Sequence, residues 1–202
     1  MTRKPDPPAP ARPPRILLVV TGGISAYKAC DVVRELVHAG AEVQVILTRE
    51  AAQFVAPLTF EALSGRRVFG ELLPGVSDGS IDHIRLGRCA DVVGVVPATA
   101  NFVAKLWAGI ADDLASATLL ALEKSVAVLL APAMNREMWT HPATQRNLRE
   151  LVALHAARMH VLDPVEKELA CGEVGPGGLP EPAAIAAALL ALAPGRRRAS
   201  AG

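Results

Sequence analysis

Short apolar runs alternate with amphipathic stretches along this chain, and the alternation predicts its architecture. Residues 16–20 are continuously apolar, the mark of a strand buried on both faces. Thr21-Gly22-Gly23 follows. Apolar residues then recur at helical spacing over residues 24–39, at Ile24, Cys30, Val33, Leu36 and Val37, and Gly40 stops the helix. Residues 42–48 read as a second strand, with Val43, Val45 and Leu47 alternating with Glu42, Gln44 and Ile46. Strand, glycine turn, helix, strand predicts a right-handed βαβ unit with parallel strands.

The same reading continues to the C-terminal end. Short helices are expected at 49–54 and 58–63, separated by Pro57, then a short strand at 68–73 and a polar loop at 74–80. A buried strand at 91–96 ends at Pro97, and helices follow at 98–106 and 112–123. The next strand, 125–130, runs up to Pro132, which cannot donate to a sheet ladder. Pro142 opens a helix whose face carries Leu148, Leu151, Val152 and His155. A short strand at 159–162, a glycine-rich loop at 170–178 and an Ala-rich helix at 182–192 complete the pattern. The result is a single α/β domain over residues 15–193 with a mostly parallel sheet flanked by helices. The proline-rich residues 1–14 read as a disordered tail. Residues 194–202, with Arg196-Arg197-Arg198, read as a disordered basic one.

Composition narrows the function classes. Hydrophobic residues make up 51% and aromatics 3%, so the core is built mainly of Ala, Val and Leu. The net charge of +1 gives nucleic-acid binding little electrostatic support. No apolar run reaches the length of a membrane span, and the N-terminus lacks the apolar segment of a signal peptide. The three cysteines, Cys30, Cys89 and Cys171, are far apart and odd in number, which fits free thiols in a reducing cytoplasm. Cys30 and Cys89 have apolar neighbours and read as small core residues. No histidine or cysteine spacing suits a metal, and none is expected.

Candidate chemistry gathers at strand ends, where open α/β sheets bind ligands. Thr21-Gly22-Gly23-Ile24-Ser25 turns from strand to helix, and amides at such a turn suit an anion, phosphate above all. The spacing is neither the dinucleotide fingerprint nor a P-loop, so a plain tight turn fits the residues as well. Thr48 ends the second strand. Pro97-Ala98-Thr99-Ala100-Asn101 ends another, with small residues that leave room for a flat ligand and a hydroxyl and an amide to hold it. Beyond Pro132, Asn135 offers one amide between bulky Met134, Met138 and Trp139. His83 lies between a flexible loop and the next strand, and its ordinary pKa suits proton transfer near neutrality. Cys171 sits in Ala170-Cys171-Gly172-Glu173-Val174-Gly175-Pro176-Gly177-Gly178, which reads as a mobile loop or lid.

Taken together, these motifs resemble the flavin-dependent cysteine decarboxylases, most closely the branch acting on phosphopantothenoylcysteine. The resemblance rests on four segments in order: the Thr-Gly-Gly-Ile turn, Pro97 to Asn101, Pro132 to Trp139, and Ala170 to Gly177. It implies a Rossmann-like (flavodoxin-like) fold and FMN held between the subunits of a homotrimer, in some relatives assembled into a dodecamer. Gly22, Gly23, Ile24 and Ser25 would wrap the phosphate side, and Thr48, Thr99, Ala100, Asn101 and Ala133 would line the cofactor. His83, Asn135 and Cys171 would be catalytic: a base, a holder of the substrate carboxylate, and a proton donor on a covering loop. Met138, Trp139, Ala170 and Gly172 would shape the substrate pocket.

The implied reaction is decarboxylation of a terminal cysteine after its thiol is oxidised to a thioaldehyde. For phosphopantothenoylcysteine the reduced product is phosphopantetheine, a step of coenzyme A biosynthesis. The alternative substrate is the C-terminal cysteine of a precursor peptide, left as an enethiol in natural-product biosynthesis. A third reading, a non-catalytic regulatory flavoprotein, is disfavoured by the presence of His83, Asn135 and Cys171. Two departures stand out: Phe102 where many relatives have threonine, and Gly178 where many bacterial relatives have arginine. The synthetase domain fused to most bacterial relatives does not follow, which points to a stand-alone enzyme.

Overall fold

The computed structural model describes residues 12–70, 82–155, 158–168 and 174–194. Strands β1 (Arg15–Val20), β2 (Glu42–Leu47), β3 (Val92–Ala98), β4 (Ala127–Pro132) and β5 (Met159–Val161) form one parallel sheet in the order β2-β1-β3-β4-β5. This is the flavodoxin-like order, and its switch point lies between β1 and β3, where the chain's crossovers leave in opposite directions.

Strand β1 shows why both faces must be covered. Ile16, Leu18 and Val20 enter one core, with α1 (Lys28–His38), α2 (Pro57–Ser64) and α8 (Pro182–Leu192). Leu17 and Val19 enter the other, with α3 (Asp82–Cys89), α4 (Ala100–Ala108), α5 (Leu114–Leu120) and α7 (Pro142–Leu154). A two-sided apolar strand is therefore the direct cause of a three-layer fold. Gly94 in β3 lets α8 lie close, because a Cβ there would stand 2.9 Å from the Leu189 side chain. Full burial of Leu189 stabilises the sheet–helix contact by about 1.5–3 kcal/mol.

Local signals start and stop the helices near the site. Thr99 caps α4, its hydroxyl accepting from the Phe102 N–H at 3.4 Å, and Gly109 ends the helix at φ 68°. Asp113 and Ser116 form a capping box at α5.

The structure differs from the sequence reading in several places. The first helix opens as a 3-10 turn, Ile24–Tyr27, before α1 begins. β3 passes through Pro97 to Ala98, where its register against β4 shifts and no donor is needed at the proline. His83 is in the first turn of helix α3 rather than ahead of a strand. A short helix, α6 (Arg136–Thr140), was not expected. Residues 174–178 of the supposed loop form β7 (Val174–Gly178), antiparallel to β6 (Val165–Glu168) in a separate two-stranded sheet. Cys89 is exposed rather than in the core, and Cys30 is half-buried, packed against the edge of the first core. Of the expected strand at 68–73, Phe69 makes an isolated bridge to Ile46. The tails at 1–11 and 195–202, and the loop at 74–80, lie outside the described residues.

Candidate functional site

The C-terminal ends of β1, β2, β3 and β4 surround a cavity of about 710 Å³. Its floor is set by Thr21, which is 2% exposed. The Thr21 hydroxyl donates to the Pro97 carbonyl at 2.6 Å and accepts from the Thr99 N–H at 3.3 Å. These bonds tie the turn after β1 to the turn after β3, on the two sides of the switch point. Gly22 lets the turn after β2 approach as well, since a Cβ at Gly22 would collide with the Glu50 side chain.

The donor set at this end is suited to an anionic, flat ligand. The 3-10 turn Ile24–Tyr27 begins after Gly23, and no side chain caps it. Its first residues, Ile24 and Ser25, line the cavity beside Gly22 and Gly23, where the wall carries no side chains. On the neighbouring wall, α4 opens at Thr99, Ala100 and Asn101, all lining the cavity. Ser25, Thr48 and Ala133 line it too. Thr48 also accepts from the Ala51 N–H at 3.2 Å, which fixes its hydroxyl at the cavity edge.

Asn135 and Met138 form the far wall with Met134. Asn135 is the N-cap of α6, its side-chain carbonyl accepting from the Glu137 N–H at 2.8 Å. The segment is held down by the β6–β7 hairpin: the Met134 N–H donates to the Gly177 carbonyl at 3.0 Å. Gly177 has φ 136° and lies so close to the Met134 carbonyl that no side chain fits. Trp139 turns the other way and packs against the core beneath β4, so it does not line the cavity. His83, half-buried on α3, is not in the cavity wall of its own chain either. Ala170, Cys171 and Gly172 lie outside the described residues.

The cavity is also lined by charged residues outside the sequence motifs. Lys28, Lys105 and Lys167 bring positive charge, and Glu50 and Asp113 negative charge. Lys105 bonds Asp112 at 2.7 Å and Asp113 at 2.8 Å. Burial pulls Lys105 down, but these two carboxylates outweigh it and hold the ammonium above its ordinary pKa. Burial likewise raises Asp113, yet Lys105 and the Ser116 bonds bring it below its usual range. The Glu50 carboxyl is lowered by its own backbone N–H and by Arg49. Lys28 was legible as a cation in the first turn after the glycine segment. Lys167 carried no local signal, because only the hairpin brings it to the site.

Cavities of about 300–1,000 Å³ with an apolar lining and a few convergent polar groups are what cofactor-sized ligands occupy. The residues fit a flavin mononucleotide: bare glycine backbone and helix-start amides for a phosphate, small residues and amides for a flat ring. A sequence model of the Flavoprotein family matches residues 6–193. The chain belongs to the flavoprotein family. As a flavoprotein it takes a flavin cofactor, and the cavity is where its residues can hold one.

This flavoprotein is 43% identical over 173 residues to the coenzyme A biosynthesis bifunctional protein CoaBC of Vibrio vulnificus, covering 86% of this chain and 42% of that one. It is 47% identical over 167 residues to CoaBC of Mycolicibacterium smegmatis, covering 83% of this chain and 39% of that one. The chain thus spans about two fifths of the length of the curated relatives it matches. Among solved structures, it is similar to a cysteine-to-serine variant of PPC decarboxylase complexed with pantothenoylaminoethenethiol. That match has a TM-score of 0.79 at 28% identity and covers 89% of this chain and 97% of the other. The FMN-dependent cysteine decarboxylase SpaF matches with a TM-score of 0.71 at 33% identity, covering 89% and 97%. Among the described residues, no helix is long and apolar enough to cross a membrane. No group of three metal-binding side chains occurs among them.

Proposed function

We propose that the chain is an FMN-dependent decarboxylase acting on the terminal cysteine of phosphopantothenoylcysteine and releasing phosphopantetheine. The observation that carries this reading is a single cavity bounded on one side by Gly22, Gly23 and Thr99–Asn101's helix start, and on the other by Asn135 and Met138. A hydride-accepting cofactor and a carboxylate-holding amide are the two parts the reaction needs. The CoaBC relatives match over 86% and 83% of this chain.

Loss of carbon dioxide from a cysteine carboxylate leaves a carbanion beside an amide nitrogen, with no electron sink. FMN, which Gly22, Gly23 and the start of α4 would hold, would supply one as the hydride acceptor when the thiol is oxidised to a thioaldehyde, the thiol proton passing to the base. The protein's own part is positional. The Asn135 amide is the donor for the departing carboxylate, and its bond to the Glu137 N–H fixes the amide plane. Met134 and Met138 give the carboxylate an apolar surround, which favours its conversion to neutral carbon dioxide. Cys171 is assigned the proton that completes the reduced product.

His83 is the base for the oxidation, and it serves the cavity of a neighbouring copy. Support comes from its place outside its own cavity and from the rim. Ile24 and Tyr27 line the cavity yet are 57% and 54% exposed, an apolar edge that a second subunit would cover. A homotrimer with FMN between subunits satisfies both observations.

The peptide alternative is favoured by the likeness to the FMN-dependent cysteine decarboxylase SpaF. Carbon dioxide release by the FMN-loaded protein separates the two. Faster release from phosphopantothenoylcysteine than from a cysteine-ended peptide supports the first reading, and release from the peptide alone supports the second.

A further inference from the structure

Among the described residues, the carboxylates that line the cavity, Glu50 and Asp113, are paired with groups other than Lys28 and Lys167. Of the cavity's three lysines, Lys105 is committed to Asp112 and Asp113, and Glu50 is paired with Arg49 at 3.0 Å. Lys28 and Lys167 remain, and both line the same cavity. Burial lowers the Lys167 ammonium first and Lys28 lowers it further, against a weaker opposing pull from Glu181. Glu181 stands 3.8 Å away and its side chain is 76% exposed, so it is a poor counterion. Two like charges brought together inside a cavity cost free energy unless an anion joins them.

Lys167 is held there by construction. It comes from β6, and its stem lies flat over Gly178 on β7. A Cβ at Gly178 would stand 2.5 Å from both Cγ and Cε of Lys167, so glycine is what lets the lysine pass. The Lys167 Nζ then donates to the Leu179 carbonyl at 2.5 Å, which aims it at the start of α8 and the cavity. The missing arginine at 178 is therefore not a missing charge. The hairpin supplies a cation from the opposite strand and needs glycine at 178 to do it.

The geometry points to Lys167 and Lys28 as a binding pair for a phosphate monoester, with Lys167 the residue that sets selectivity for it. Ammonium groups are point-charge phosphate binders, and two of them match a dianion better than a carboxylate. In the reading above, two phosphates enter this cavity, one on FMN and one on the substrate. The proposal rests on that reading only for the identity of these ligands.

Equilibrium binding to the intact protein tests it with ligand pairs that differ only in the phosphate. Apoprotein is titrated with FMN and with riboflavin by flavin fluorescence. Flavin-loaded protein is titrated with phosphopantetheine and with pantetheine by calorimetry. The wild type is expected to prefer the phosphorylated member of one pair. Lys167→Met, which keeps the stem over Gly178 and removes the charge, should cut that preference by roughly tenfold or more, the usual range for a hydrogen bond to a charged group. Lys167→Arg should retain most of it. A second variant, Lys167→Ala with Gly178→Arg, moves the cation back to β7 and should restore it. Loss in the flavin pair assigns the cofactor phosphate, and loss in the pantetheine pair the substrate phosphate. A wild type without preference in either pair, or a Lys167→Met protein with undiminished preference in both, overturns the proposal. Neither result depends on whether any cysteine is decarboxylated.

Discussion

The Met134 N–H donates to the Gly177 carbonyl at 3.0 Å, and this bond joins the two segments that bound the Asn135 side of the cavity. One is the loop leaving β4 toward Asn135. The other is the strand that ends the glycine-rich segment. The position of Asn135 is thus set from two directions, by α6 behind it and by the hairpin beside it.

Gly177→Ala should break that arrangement. The residue has φ 136°, and its Cβ would collide with the Met134 carbonyl. Strain of this kind costs about 1–3 kcal/mol. The urea midpoint should fall accordingly, and decarboxylation should fall more steeply than FMN binding, because the flavin side of the cavity is built by other elements. Equal losses of both would show that the hairpin does not act on the substrate side alone.

Asn135→Asp separates folding from chemistry. Aspartate caps a helix as well as asparagine does, so α6 should survive. A carboxylate facing the substrate carboxylate is repelled, and like charges in a buried contact cost several kcal/mol, so kcat/KM should drop about 100-fold or more. The protein should stay yellow, as read by its flavin absorbance.

Subunit mixing tests the origin of the base. His83→Asn and Asn135→Asp should each be inactive alone. Unfolded together and refolded with FMN, they should regain part of the wild-type rate, because some cavities then combine an intact Asn135 with an intact His83 from a neighbour. No recovery, with mixed oligomers shown by native mass spectrometry, would mean that His83 and Asn135 serve one cavity from the same chain and contradict the neighbouring copy as the source of the base.

Acid stability should depend on Asp91, far from the site. The hydrogen bond from Arg12 lowers its pKa, burial works against this, and the Arg15 N–H adds to the lowering. A carboxylate lowered in the folded state stabilises fully above its unfolded pKa of about 3.9, and the contribution is lost as pH falls through the lower folded value. Thermal midpoints of wild type and Asp91→Asn should therefore differ at neutral pH and converge as pH drops below about 4.

The sheet and its ligand edge were legible because they depend on local pattern. The run through Leu17, Leu18 and Val19 can only be a strand covered on both sides, and glycines 22 and 23 directly after it mark a βα turn. Thr99 and Asn101 follow by the same logic. What was not legible depends on contacts distant in sequence. β7 has the sequence Val-Gly-Pro-Gly-Gly, with no apolar alternation, and is a strand only because β6 pairs with it. Lys167 reaches the cavity only through that pairing. Trp139 looked like a pocket residue beside Asn135, but its side chain packs against the core, and Met138 lines the cavity instead. His83 gave no helix signal, since Asp82–Cys89 contains a glycine and three basic side chains among few apolar ones.

Product mass under anaerobic conditions tests the central claim most directly. FMN-loaded protein is incubated with phosphopantothenoylcysteine without any added oxidant or reductant, and the product is weighed by mass spectrometry. The account predicts catalytic turnover to phosphopantetheine, lighter than the substrate by one carbon dioxide, with the flavin oxidised at the end as at the start. No carbon dioxide loss beyond a single equivalent per flavin, or decarboxylation that proceeds equally well with the flavin removed, would contradict it.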